Sequence, residues 1–227
     1  MSRIFAIGDI HGCNNTFKAL VEKCAPEKTD KIYCLGDYID RGPDSKAVID
    51  HILSLREQGY TVYTLRGNHE QLMMDSVKEV RKYEHWLRNG GIETLSSFGI
   101  SIYDEMPELY KNFFNETEFY IADGRFIFVH AGLNFQKSDI FEDKDAMLWI
   151  RDWKPSRGRL EGRLIIHGHT PRRRKFILEH QIHGTVNIDG GCVYPKESGL
   201  GNLVAYNATE DQFIFQENIE NTAGITL

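Results

Sequence analysis

RIFAIGDIHG (residues 3–12), KIYCLGDYIDRG (31–42) and YTVYTLRGNHE (60–70) are the stretches whose reading decides the fold. Each is a short apolar run that ends in a polar, glycine-containing loop. Arg3–Ile7, Lys31–Leu35 and Tyr60–Leu65 read as strands, and Asn14–Glu22 and Asp44–Gln58 between them as helices. Such alternation predicts parallel strands with covering helices. The near-continuous apolar character of the strands is what burial on both faces requires.

Outward from this core, residues 78–115 carry an amphipathic helical pattern, with Trp86, Leu87, Ile92, Leu95 and Phe98 at the apolar positions, and read as a helical insertion. The second half returns to strands at Phe126–Val129, Leu164–Ile166, Thr185–Ile188, Leu203–Tyr206 and Gln212–Phe215. Several lie close enough to pair through tight turns, so an antiparallel second sheet is expected. Lys154–Gly162, where glycine, proline and charge replace periodicity, is the expected mobile loop. No repeat, low-complexity tract or linker divides the chain, so one α/β domain over residues 1–227 is expected.

Composition excludes several classes. With 41% hydrophobic and 26% charged residues the chain is of ordinary globular type, and a net charge of -6 argues against nucleic acid as an obligatory partner. The opening MSRIFAIGDI is too short an apolar run for a signal sequence, and no run approaches the ~18 apolar residues of a membrane span. Cys13, Cys24, Cys34 and Cys192 show no metal or disulfide spacing, as expected of reduced packing thiols in the cytoplasm.

The chemistry is concentrated at strand ends: Gly8–Gly12 (GDIHG), Gly36–Gly42 (GDYIDRG), Gly67–Glu70 (GNHE), His130–Gly132 (HAG) and His167–Thr170 (HGHT). Open α/β sheets place ligands at such loops. A single histidine after a strand is ordinarily structural, but five of the nine histidines fall in these clusters. Asp, His and Asn together offer hard oxygen and imidazole donors suited to Mn²⁺, Zn²⁺ or Fe. A pair of such ions about 3.5–4 Å apart clamps both oxygens of an in-line phosphoryl displacement. Neither a GxSxG elbow nor a GxxxxGK[ST] loop is present.

In this order and spacing, GDIHG, GDYIDRG, GNHE, HAG and GHT resemble the phosphoprotein phosphatase family of calcineurin-like metallophosphoesterases. RGNHEQ (66–71) and HWLRNGG (85–91) are similar to the branch typified by the phage lambda protein phosphatase and small bacterial relatives, and NIDGG (187–191) resembles the family's C-terminal strand. The resemblance implies a β-sandwich of two mixed sheets flanked by helices, with the helical insertion at about 78–115. It implies two divalent metal ions, manganese first and iron or zinc next. Asp9 and His11 would hold one ion, Asp37 would bridge, and Asn68, His130 and His169 would complete the second site. His69 would be the general acid, oriented by Asp40, with Arg41, Arg66 and Arg151 on the phosphate. From the residues alone either His167 or His169 could face the metals; the family's Gly-His-Thr favours His169. Glu70 is expected beside the ligands rather than among them.

The implied activity is that of a Ser/Thr-type or dual-specificity protein phosphatase, hydrolysing phosphomonoesters by attack of a metal-bound hydroxide. The alternative is a diadenosine tetraphosphate (dinucleoside polyphosphate) hydrolase using the same machinery. A non-catalytic phosphate-binding protein is the remote alternative, disfavoured because every expected position is filled. The partner is thus a phosphorylated protein or a nucleotide polyphosphate, with no membrane; oligomeric state is left open. His51, His180 and His183 read as packing or solvated residues, and Trp149, Trp153 and Phe176 as packing aromatics. Residues 151–175 hold nine basic residues against Asp152 and Glu161, and the run Arg172–Lys175 reads equally as a solvated face or as a field that draws in an anionic substrate.

Overall fold

The computed structural model describes residues 2–179, 184–194 and 198–220, so His180 and His183 lie outside the described residues. The first half follows the expected alternation: β1 (Ile4–Ile7), α1 (Asn14–Cys24), β2 (Lys31–Cys34), α2 (Ser45–Glu57) and β3 (Thr61–Thr64). β1, β2 and β3 are parallel, with Phe5 opposite Ile32 and Ile32 opposite Val62. Side-chain alternation then sorts the two faces of the sheet. Phe5, Ile7, Ile32 and Cys34 pack with Phe17, Leu20, Val48 and Ile52 of the helices, while Ala6, Tyr33 and Leu35 face the other way.

That second face meets Phe128, Ile166 and Val186 of a second sheet, giving the core of a two-sheet sandwich. The first sheet has strand order β3-β2-β1-β8-β9 and the second β4-β5-β6-β7, where β4 is Tyr120–Asp123, β5 Phe126–Val129, β6 Leu164–His167, β7 Thr185–Asn187, β8 Asn202–Asn207 and β9 Gln212–Glu217. Both sheets are mixed, and helices flank them, as the resemblance implied. The expectation of an antiparallel second sheet is corrected: only β4 pairs antiparallel there, β5, β6 and β7 being parallel. The tight turn does join β8 to β9, but the hairpin extends the first sheet alongside β1. A turn shows which strands pair with each other and is silent on which sheet they join.

α3 (Asn68–Ser76) precedes the segment expected to be helical, which holds α4 (Val80–Trp86), a kinked link at Leu87–Gly91, α5 (Ile92–Phe98) and α6 (Glu108–Asn115). Of the apolar positions read from periodicity, Trp86 and Leu95 are buried but Ile92 is 61% exposed. Gly90, at φ 106°, breaks the helical phase between them, so one periodic template cannot span both helices. Residues 154–162 contain a 3₁₀ turn at Arg157–Leu160 whose Leu160 is buried. All four cysteines are free and buried. No helix among the described residues is long and apolar enough to cross a membrane.

Candidate active site

The loops after β1, β2, β3, β5, β6 and β7 converge on one cleft lined by Asp9, His11, Asp37, Arg41, Asn68, His69, Arg151, His169, Pro171, Asp189, Gly191 and Tyr194. Backbone strain is concentrated there. His11, Asp37, Asp40, Arg41 and His169 all adopt positive φ, between 47° and 71°, a conformation that costs a non-glycine residue about 1–3 kcal/mol and persists only where surrounding bonds impose it.

Those bonds are identifiable. Glu70, in the first turn of α3, accepts the backbone N–H groups of Asp37 (2.8 Å), Tyr38 (2.8 Å) and Gly67 (2.8 Å), tying the loop after β2 to that after β3. Asp37 Oδ1 in turn accepts the N–H of His69 at 3.0 Å. The N–H of His169 donates to both oxygens of Asp9, at 3.2 and 3.1 Å. That approach needs Gly168, because a Cβ there would stand 2.1 Å from Asp9 Oδ1.

Two groups of donors share Asp37: His11, Asp37 and His69 in one, and Asp37, His130 and His169 in the other, each with ligand atoms within 4.8 Å of one another. Their tautomers suit a cation. His11 Nδ1 lies 2.9 Å from the Ile39 carbonyl and must donate, and the Arg41 guanidinium, which can only donate, faces His11 Nε2 at 3.0 Å. That nitrogen therefore presents a lone pair, 3.5 Å from Asp37 Oδ2. His130 repeats the arrangement, with Nδ1 on the Leu35 carbonyl at 2.9 Å and Nε2 3.5 Å from Asp37 Oδ1. Asn68 Oδ1 completes the second group, 2.9 Å from His130 Nε2 and 2.8 Å from His169 Nδ1. Carbonyls orienting the far nitrogen of a histidine are the usual support of a metal ligand.

The electrostatics agree. Burial, reinforced by Asp189 and Asp37, pushes the Asp9 carboxyl well above its ordinary range, and burial brings Asp189 up to about 7. Burial acts the same way on Asp37, but His130, His69, His11 and His169 outweigh it and hold that carboxyl far below the usual range. Burial keeps His169 neutral, its pKa brought down to about 3, and holds His11 and His130 low as well. Neutral imidazoles around buried carboxylates fit divalent cations, which supply the missing positive charge.

His69 is the exception. Burial disfavours its charged form, yet Asp37 and the Asp40 carboxylate, 2.7 Å from its Nδ1, raise its pKa above the ordinary value. It lines the cleft as an imidazolium-prone group with Nε2 left to offer a proton.

Across residues 2–204 the sequence matches the family of calcineurin-like phosphoesterases. The chain belongs to this family. Among relatives of this phosphoesterase, the asymmetrical bis(5′-nucleosyl)-tetraphosphatase PrpE of Anoxybacillus flavithermus is 32% identical over 220 residues, covering 83% of this chain and 85% of the relative. Serine/threonine-protein phosphatase 1 of Salmonella typhimurium is 37% identical over 89 residues, covering 39% and 38%. A serine/threonine phosphatase structure from Saccharomyces cerevisiae superposes with a TM-score of 0.67 at 17% identity over 97% of this chain and 81% of that one, a likeness of fold.

The phosphoesterase cleft thus brings together Asp9, His11, Asp37, Asn68, His130 and His169, with His69, Asp40, Arg41 and Arg151 around them. Arg66, expected on the phosphate, is not among the residues that line it. Its guanidinium is turned toward the end of α6, donating to Thr117 Oγ1 (3.0 Å) and to the carbonyls of Phe114 (3.1 Å) and Asn115 (3.3 Å), and it stacks on Phe119. His167 is buried against Trp153 at 5.2 Å, away from the cleft lining, and burial holds it down to about 4. His51 packs on Phe17 at 5.2 Å. Sequence reading missed Asp189, although it follows β7 within the NIDGG stretch, a buried acid at a strand end. It also read Trp86 only as core, whereas the indole N–H donates to Asp40.

Proposed function

We propose that this phosphoesterase hydrolyses dinucleoside polyphosphates, the alternative reading of the sequence, rather than acting first as a Ser/Thr protein phosphatase. The observation that carries this is coverage: likeness to the tetraphosphatase runs over 83% of the chain, whereas likeness to the serine/threonine phosphatase runs over 39%. Asp9, His11 and Asp37 would hold one divalent ion and Asp37, Asn68, His130 and His169 the other, manganese being the ion proposed for this mixed oxygen and imidazole set. When bound, such a pair lowers the pKa of water and polarises phosphate oxygens.

The chain's own residues do the rest. Arg41 and Arg151 line the cleft and would fix the reacting phosphate through guanidinium forks. His69 would give its Nε2 proton to the oxygen that leaves as the P–O bond breaks, with Asp40 holding Nδ1. Residues 1–227 are proposed to act as one domain in the cytoplasm, the latter from four cysteines that are free and buried.

The test is competition at equal concentration between diadenosine tetraphosphate and a phosphoserine peptide with manganese-loaded protein. A higher kcat/KM for the dinucleotide is expected, with AMP and ATP as unequal products if the relative's asymmetrical cleavage carries over. Preference for the phosphopeptide would overturn the reading.

A further inference from the structure

Asp40 is fully buried, and its carboxylate is held from three sides. Oδ2 faces His69 Nδ1 at 2.7 Å, Oδ1 accepts the Thr94 hydroxyl at 2.6 Å, and the Trp86 indole N–H lies 3.1 Å from each oxygen. The Asp40 N–H donates back to Thr94 Oγ1 at 2.9 Å and to Ser45 Oγ at 3.1 Å, and the Ser45 and Thr94 hydroxyls lie 3.1 Å apart, so Ser45 shares in the same network. Trp86 and Thr94 close α4 and open α5, so the helical insertion supplies both neutral donors. Neither can take up the carboxylate's charge. They fix the plane of the carboxylate and with it the direction from which Oδ2 meets His69 Nδ1.

The link between them also holds the neighbouring arginine. In the kinked link that joins α4 to α5 the Gly90 carbonyl accepts the Arg41 N–H at 3.3 Å. Gly90 is at φ 106°, and a Cβ there would stand 2.4 Å from Arg41 N and 2.8 Å from Arg41 Cγ. Asp40 and Arg41 are themselves at φ 71° and 69°, so the insertion braces two strained residues in succession.

We infer that Trp86 and Thr94 are positioning residues for the acid step, holding Asp40 so that His69 is aimed at the leaving oxygen. The inference rests on the reading of His69 as the acid and not on the identity of the natural substrate. It predicts a particular kinetic signature, because help from an acid matters most when the departing oxygen is basic.

The experiment compares Thr94→Val, Thr94→Ser, Trp86→Phe and His69→Asn with the manganese-loaded parent on aryl phosphates, from phenyl phosphate (poor leaving group) to 2,4-dinitrophenyl phosphate (good leaving group). Thr94→Val keeps the side chain's shape and removes the donor, which guards against an indole replacement that fails to fold. Thr94→Val and Trp86→Phe should lower kcat on phenyl phosphate by about 10- to 100-fold, the scale seen when a supporting partner of a site residue is lost. On the dinitrophenyl ester the loss should be only about threefold or less, since little proton transfer is needed there. KM and bound manganese should stay unchanged, and Thr94→Ser should recover the parent's behaviour. Equal loss on both esters, loss of metal, or no loss would overturn the inference. His69→Asn must show the steeper leaving-group dependence; if it does not, the acid assignment and this inference fall together. If it does and the Thr94 and Trp86 variants do not, the inference alone falls. Aryl phosphates carry no nucleoside, so none of these outcomes bears on the dinucleotide reading.

Discussion

Asp37 belongs to both donor groups, and no other side chain among the described residues does. Asp37→Ala should therefore abolish turnover of an aryl phosphate and strip bound manganese, measured by elemental analysis of the purified protein. His69→Asn should separate the two functions, lowering kcat by about 10²–10⁴ while metal content stays near the parent's. His169→Ala should lose metal; if His167→Ala loses it instead, the assignment of that motif is reversed. Most of these side chains were legible because aspartate, asparagine and histidine are short. Once a strand end places the Cα atom, the donor atom can fall in few places. Arg66 shows where this stops. Its position after β3 suggested the cleft, but a long guanidinium takes the direction of its best acceptors, and those are carbonyls at the end of α6 far along the chain. Thr94 and Trp86 were hidden for a related reason, their acceptor lying 54 and 46 positions away.

At the scale of elements, strand and helix positions in the first half could be read to within a residue or two, since burial on both faces leaves an apolar run that polar loops delimit. β4, only partly buried, has no such run, and α3 begins inside a motif whose polar first turn faces the cleft rather than water. The start of the first sheet has its own fastening: Asp30, at the entry to β2, accepts from Arg3 Nε (3.0 Å), Arg3 Nη2 (2.7 Å), Arg3 N (2.7 Å) and Glu27 N (2.8 Å). Burial works against the Asp30 charge, but these donors prevail and its pKa is lowered. A depressed carboxyl contributes stability that is present above its unfolded value near 3.9 and lost as pH falls through the folded one. Asp30→Asn should accordingly cost about 1–3 kcal/mol in urea unfolding at pH 7. The gap between variant and parent should narrow as both are measured at progressively lower pH below about 4. A gap independent of pH would mean that packing, not charge, is what the substitution removed.

The whole molecule is acidic, at -6, yet Arg41 and Arg151 line the cleft and the exposed run Arg172–Lys175 follows Pro171 of its lining. Part of that run is engaged with the protein, Arg173 donating to the Ser198 carbonyl (3.1 Å) and Arg174 lying over Phe215. Their charges still project a field. Replacing Arg172, Arg173 and Arg174 together by Gln should lower kcat/KM for a tetraphosphate more than for an aryl phosphate, with kcat at saturation nearly unchanged. The defect should fade from low to high salt as screening shortens the field's reach. Equal, salt-independent losses would place the triplet in the site or the fold. The sequence could say that phosphate is the target but not what the phosphate is attached to, because the proposed ligands and acid address only the phosphoryl group and its leaving oxygen; the substrate reading had to come from the length over which relatives align. The strand order carries one more consequence. β1 lies in the middle of its sheet with β8 as neighbour, and Ile4 N is bonded to a hydroxyl 205 positions later in the chain. At a synthesis rate of about 5–20 residues per second, the first strand waits roughly 10–40 s on the ribosome before the partner for its open edge is made. Throughout that interval the edge of β1 that β8 will cover has no partner strand, and an unpaired edge can recruit other strands, so slower elongation is expected to lower the yield of the sheet that later holds Asp9 and His11.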